Sequence, residues 1–183
     1  MFRIVVGDDL EMRLLEERDA EQLFALTEEN RAYLRQWLPW LDDTTRLADT
    51  RAFIRSALQQ FADENGFQVV ILCKGEPAGV AGLHYINRQD GKTEIGYWLG
   101  ESFQGKGIMT RCCRALVDYA FNELGLDRVE IRCATENVRS RAIPERLGFS
   151  REGLQKDAEW LYDHFVDLVV YSMRAADWPK TVS

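Results

Sequence analysis

Gly100, Gly105 and Gly107 crowd into eight residues with Lys106 among them, a spacing suited to holding an anion. Ahead of them, Glu94 to Leu99 is short and rich in aromatic and β-branched residues, as strands are. Behind them, Ile108, Cys112, Leu116, Tyr119, Ala120 and Leu124 recur at three- and four-residue steps, the period of a helix with one apolar face. A strand, a glycine turn and a helix start together make an anion site. The first helical N–H groups lack internal acceptors, the helix dipole favours negative charge, and glycine lets a phosphate approach the backbone. Lys106, Arg111 and Arg114 add positive charge. A plain glycine turn between strand and helix is the competing reading of these residues alone.

Two nucleotide motifs overlap this loop and neither is complete. Gly100 to Gly107 fits the first seven positions of G-x-x-x-x-G-K-[ST], but Gly107 stands where a hydroxyl would hold Mg²⁺. That argues against an ATPase or GTPase. A dinucleotide fingerprint needs a third glycine or alanine after Gly105 and Gly107, where this chain has Thr110.

Gln104-Gly105-Lys106-Gly107-Ile108-Met109 resembles the Q/R-x-x-G-x-G/A loop with which GNAT-type N-acetyltransferases bind the pyrophosphate of acetyl-coenzyme A. Asn137 with Ser140, then Arg146-Leu147-Gly148-Phe149, resemble that superfamily's N-x-x-S helix and LGF turn. Arg35 to Trp40, Glu94 to Leu99, Glu152-Gly153 and Ala158-Glu159-Trp160 are similar to RimJ/RimL-type ribosomal-protein N-acetyltransferases. The likeness runs from Met12 to Met173. Met109 departs from it, since the general motif prefers a small residue there; binding through the backbone N–H tolerates the change.

Composition sets bounds on the function. The 183 residues suit one domain, 1–183, able to bury a proper core. The net charge of −7 with no basic run argues against nucleic acid, whose binding rests on neutralising phosphates. An acidic body suits a basic partner, and serves solubility equally. Cys73, Cys112, Cys113 and Cys133 contain no C-x-x-C and the chain has only two histidines, so no metal ligation is expected and the cysteines read as buried free thiols. No apolar stretch has the length of a membrane span or a signal core. The expected setting is the reducing cytoplasm, with no membrane partner.

Elements able to position the loop can be read in order. Met12 to Leu15 is the expected first strand, and Asp19 the expected N-cap of a helix whose face carries Leu23, Phe24, Leu26 and Thr27. Tyr33 to Leu41 is aromatic and broken by Pro39. Leu47 to Asn65 reads as an amphipathic helix ended by Gly66. Strands follow at Phe67–Cys73 and Ala78–Ile86, and a turn at Asn87–Lys92 leads into the Glu94 strand. Val129, Ile131 and Cys133 alternate as a strand; Asn137 to Leu147 is a short helix despite Pro144; the last strands are Phe149–Leu154 and His164–Met173. This order predicts an α/β (α+β) domain with a mixed, mainly antiparallel sheet. The resemblance implies a GNAT fold, with helices on both faces and the sheet splayed at its centre where the Glu94 and Val129 strands part to admit the pantetheine arm.

The resemblance also implies the chemistry. A neutral amine attacks the acetyl thioester, a tetrahedral oxyanion forms, and a thiolate leaves. Backbone amides of Gln104, Gly105, Lys106, Gly107, Ile108, Met109 and Thr110 would bind acetyl-coenzyme A as co-substrate, with Asn137 and Ser140. A backbone N–H at Tyr97, Trp98 or Leu99 would hold the oxyanion. Ser140 would protonate the thiolate, and Glu159 would take the amine's proton through water, with Glu94 as the rival base. Against these roles, Ser140 suits a cap or a coenzyme contact, and Glu159 a solvated strand position. Trp37, Trp40 and Tyr85 would line the acceptor pocket, with Asp42 and Asp43 near its mouth. They are equally able to pack a core.

The acceptor implied is a protein or peptide N-terminus, and a homodimer is compatible with this pattern. An α-amine with a pKa of about 7.7–8.0 is roughly one-tenth neutral at pH 7, a cost of about 1.4 kcal/mol. A lysine at about 10.4 costs about 4.6 kcal/mol. With no histidine placed by any motif, a carboxylate base suits the easier amine. Small amines such as polyamines or aminoglycosides are the alternative acceptors, and a non-catalytic acyl-coenzyme A sensor is the alternative class.

Overall fold

In the computed structural model, which describes residues 2–179, eight strands form one sheet in the order β1-β2-β3-β4-β5-β6-β8-β7. The strands are β1 (Arg3–Gly7), β2 (Leu10–Leu14), β3 (Phe67–Cys73), β4 (Glu76–Asn87), β5 (Lys92–Leu99), β6 (Arg128–Ala134), β7 (Ser150–Leu161) and β8 (His164–Arg174). The helices are α1 (Ala20–Glu29), α2 (Arg31–Arg35), α3 (Leu47–Ala62), α4 (Ile108–Asn122) and α5 (Val138–Arg146). Every neighbouring pair is antiparallel except β5 with β6, which are joined by α4 as the crossover.

Helices cover both faces, and the strand sequences show it. Val69 and Ile71 of β3 turn into one core with Cys112, Leu116 and Val117 of α4. Val70 and Leu72 turn into a second core with Leu23 of α1 and Ile54 of α3. Burial on both sides is why Phe67–Cys73 reads as a continuous apolar run. In β6, Val129, Ile131 and Cys133 join the α4 core, while Glu130 and Arg132 point to the opposite face.

Three expectations need correction. Asp19 stands at the N-cap of α1 but does not cap it: its carboxylate accepts from both Arg13 guanidinium nitrogens, at 2.8 and 2.7 Å, and from the Glu16 amide. Both carboxylate oxygens are already engaged by the Arg13 guanidinium and the Glu16 amide, and charge-assisted bonds of this kind are the stronger ones, so none is left to the first amides of α1. The first strand is β1, earlier than Met12, and Arg3↔Arg13 and Ile4↔Met12 pair it to β2. Finally, β7 runs seven residues past Leu154, to Leu161. It is an edge strand exposed on both faces, so its polar stretch carries no two-residue signature.

β5 and β6 pair only through Lys92↔Arg128, Thr93↔Val129 and Glu94↔Glu130. Beyond Glu94 the two strands separate, which leaves Ile95–Leu99 and Ile131–Ala134 without ladder partners on the facing sides. The splay is thus seen as expected, and it opens backbone groups that must find partners elsewhere.

Candidate active site

At the end of β5 the chain enters the glycine turn. Gly107 is the N-cap of α4 with φ 68° and ψ 11°, and Gly105 has φ 73°. Side-chain-bearing residues rarely adopt this left-handed conformation, and a Cβ on either glycine would point into open space. Of the amides expected to bind the coenzyme, that of Gln104 instead donates to the Glu101 carbonyl at 3.1 Å, closing a short turn, whereas those from Gly105 to Thr110 find no acceptor among the described residues. They stand at the positive end of a helix of fifteen residues, as the anion reading requires. Gln104 holds the turn by donating from Nε2 to the Leu99 carbonyl at 3.3 Å. Asn30, which the sequence did not single out, ties it to α1: its Oδ1 accepts from the Glu101 amide and its Nδ2 donates to the Leu26 carbonyl, both at 2.8 Å. The Lys106 ammonium donates to the Ser102 carbonyl at 2.9 Å.

From this turn a groove runs along the open end of β5. Tyr97, Trp98, Leu99 and Gln104 line it with Met109 of α4 and Asn137, Ser140 and Ile143 at α5. Asn137 caps α5, its Oδ1 accepting from the Ser140 amide at 3.3 Å. That cap turns the first residues of α5 toward the splay. Tyr97 donates its phenol proton to the Ser140 carbonyl at 3.0 Å, and Ser140 Oγ lies 3.3 Å from both Tyr97 Oη and Cys133 Sγ. Burial pushes the Tyr97 phenol far up, and burial likewise raises the Cys133 thiol. Both groups are neutral at physiological pH, so the Ser140 hydroxyl has two uncharged neighbours. Cys112, Cys113 and Cys133 are free and buried, and Cys73 is half-buried.

The carboxylates stand on the opposite face. Strand alternation puts Glu94, Gly96 and Trp98 on the side away from Tyr97. Glu94 is mostly buried; its Oε2 is 3.4 Å from Arg132 Nε and its Oε1 is 3.7 Å from His84 Nδ1. Arg132 also reaches Glu130, at 3.5 Å. Burial, then the charge of Glu94, pushes the Glu159 carboxyl above its usual range, while His84 draws it down. Glu159 and Glu94 therefore feel each other from β7 and β5.

Contrary to expectation, a histidine does stand here, and a bulge puts it there. Leu83 pairs with Ile95 and Ile86 with Thr93, so His84 and Tyr85 together oppose the single residue Glu94. The signal for this lay in a histidine ten residues from a strand carboxylate, but the register that aligns them is tertiary.

The expected acceptor-lining aromatics are divided. Trp37 lies in the groove with Tyr33 and Leu38 of the α2 region. Trp40 packs on Trp98, with ring centroids 5.9 Å apart. Tyr85 lies on the carboxylate side, and burial, with Glu130 and Glu94, raises its phenol. Asp42 is paired with Arg35 at 2.8 Å, and that guanidinium holds its carboxyl below the usual range. Among the described residues no group of His, Cys, Asp and Glu is arranged to hold a metal ion. No described helix is long and apolar enough to cross a membrane.

Residues 9–150 match the acetyltransferase (GNAT) domain family. YdaF of Bacillus subtilis (strain 168) is 41% identical over 97% of this chain and 98% of its own. The ribosomal-protein-serine acetyltransferase of Escherichia coli (strain K12) is 31% identical over 92% of this chain and 94% of its own. Among solved structures, RimL, a ribosomal L7/L12 α-N-protein acetyltransferase in complex with coenzyme A, superposes with a TM-score of 0.91. It is 32% identical and covers 94% of this chain and 97% of its own. The microcin C7 self-immunity acetyltransferase MccE, in complex with acetyl-coenzyme A and AMP, has a TM-score of 0.89 at 29% identity, covering 92% and 94%. This chain belongs to the GNAT acetyltransferase family. It is an N-acetyltransferase whose acetyl donor is acetyl-coenzyme A.

Proposed function

We propose that this enzyme acetylates the α-amine at the N-terminus of a protein, a ribosomal protein in the first instance, by direct attack on the thioester. The reading places the reaction in the cytoplasm. The observation that carries it is the pair Glu94 and Glu159, set on the face of the splay opposite Ser140. Coenzyme on one side and acceptor on the other fits a direct transfer, and the names of the E. coli and RimL relatives favour a ribosomal-protein acceptor.

In this reading the pyrophosphate lies on the amides of Gly105 to Thr110 and the pantetheine follows the groove past Tyr97 and Asn137. An open amide of Tyr97–Leu99 receives the oxyanion. Glu159 takes the first proton from the arriving ammonium; burial and the charge of Glu94 raise its carboxyl, which makes it a stronger base than a free carboxylate. Ser140 donates to the departing thiolate. Trp37, Trp40 and Tyr85 shape the acceptor's approach.

The test is acetyl-coenzyme A turnover with ribosomal proteins and matched N-terminal peptides against lysine peptides, polyamines and aminoglycosides, read by mass spectrometry. Acetylated N-termini are expected. Acetyl found only on lysine side chains or small amines overturns the acceptor.

A further inference from the structure

The His84 imidazole lies directly against Gly96. A Cβ built on Gly96 would come 1.8 Å from His84 Nε2 and within 2.7 Å of both adjacent ring carbons. The ring can occupy that place only because residue 96 has no side chain. Gly96 is the second residue of β5 beyond the last pair with β6, so Nε2 points at the open stretch where strand pairing has stopped. The ring's other nitrogen, Nδ1, faces the Glu94 carboxylate at 3.7 Å. Two independent features thus place this side chain: the bulge at His84–Tyr85 sets it against Glu94, and Gly96 leaves space for its tip, while about half of it, 52%, stays open to solvent.

We propose that His84 is a catalytic base of the acetyl transfer, taking the proton that the attacking nitrogen sheds after bond formation, with Glu94 as its positioning residue. The proposal rests on the acetyltransferase reading and needs no particular acceptor. Protons balance as follows. An ammonium R-NH₃⁺ gives one proton to Glu159, and the neutral nitrogen attacks the carbonyl carbon. The C–N bond forms and the π pair moves to oxygen, leaving the nitrogen positive with two hydrogens. His84 Nε2 takes one of these. The oxygen pair returns, the C–S bond breaks, and the thiolate takes the Ser140 proton. Water receives the protons from Glu159 and His84, and one of these restores Ser140. The sum is amide, coenzyme A thiol and one proton released.

An imidazole suits this step because one ring nitrogen can accept a proton while the other is oriented by a carboxylate. The charged and titratable groups that face it are Glu94 on β5, Glu130 and Arg132 on β6, Glu159 on β7 and Tyr85 on its own strand. Arg132 engages both Glu94, at 3.4 Å, and Glu130, at 3.5 Å, and so fixes the Glu94 carboxylate beside the ring.

His84→Gln, His84→Ala and Gly96→Ala test it, each assayed for kcat against pH on whichever amine the wild type acetylates, with coenzyme A affinity by calorimetry. Gly96→Ala keeps the histidine but moves its ring, because a ring end yields more readily than backbone. All three are expected to lower kcat by about 10²-fold or more and to flatten its acid limb, with coenzyme affinity within twofold. Retention of kcat within threefold in His84→Gln, or an unchanged acid limb, overturns the role of His84. Activity confined to small amines, with the His84 effects intact, sinks the N-terminal acceptor alone. A wild type inactive on every amine sinks both.

Discussion

Tyr97 and Ser140 are joined twice across the cleft: the phenol donates to the Ser140 carbonyl at 3.0 Å, and the Ser140 hydroxyl lies 3.3 Å from the same phenol oxygen. Through these contacts the open end of β5 fixes the first turn of α5. Tyr97→Phe removes the tie and leaves a part-buried carbonyl unpaired. A loss of about 1 kcal/mol in denaturant unfolding is expected, the usual net worth of one such bond. Coenzyme A affinity by calorimetry should stay within threefold, because the amides of the glycine turn are untouched.

Gly107→Val should abolish coenzyme A binding at concentrations that saturate the wild type. The branched side chain would occupy the open space outside the turn, and φ 68° strains any β-branched residue. Gly107→Asn separates the two effects, since asparagine tolerates this conformation but still fills the space. It should fold with a near-native melting temperature and bind at least tenfold more weakly. Unchanged affinity in a folded Gly107→Asn would remove the phosphate site.

Ser140→Ala is expected to lower kcat by roughly 10²–10⁴-fold, the range for one acid–base group, with little change in coenzyme affinity. Acetyl donors with a more acidic leaving thiol would be affected least, because their thiolate departs without a proton. An aryl thioester analogue should therefore recover much of the lost rate, and equal defects on both donors would reassign Ser140 to positioning.

Glu159→Gln should lower kcat and raise stability at neutral pH. The folded carboxyl is held above its unfolded value by burial and by Glu94. A raised carboxyl favours the protonated form in the fold, so its contribution is full below the unfolded pKa and is lost as pH rises through the folded one. Glutamine mimics the protonated form at every pH. Melting curves from pH 4 to 8 should show the variant and wild type converging in acid and the variant ahead at pH 8. A variant less stable than wild type at pH 8 contradicts this.

Away from the site, Arg13→Met strands Asp19, whose side chain is 4% exposed. Leaving a buried charge unpaired costs about 3–5 kcal/mol. Arg13→Met with Asp19→Leu should recover most of that loss in the same unfolding assay, because apolar pairs of similar volume replace buried ion pairs at little cost.

Much of the local pattern around the site was legible in the sequence. The glycine turn ahead of α4, the helical period from Ile108, the alternation at Val129, Ile131 and Cys133, and the ordered motifs at Asn137, Ser140 and Leu147–Phe149 all depend on neighbours within a few residues. Such patterns follow from backbone geometry and one-sided burial, which short-range spacing records. Tertiary structure alone decided what converges. Residues 84, 94, 132 and 159 meet because a bulge shifts the β4–β5 register and because β6 pairs with β5 for three residues before parting. The edge strand β7 brings Glu159 up with no burial pattern to announce it, since a strand exposed on both faces is under no demand to alternate. Asp19 turned from helix cap to partner of Arg13 for a similar reason: a charge deep in a packed core takes the strongest counter-charge within reach, and that partner is set by the pairing of β2 against its neighbours rather than by position along the chain.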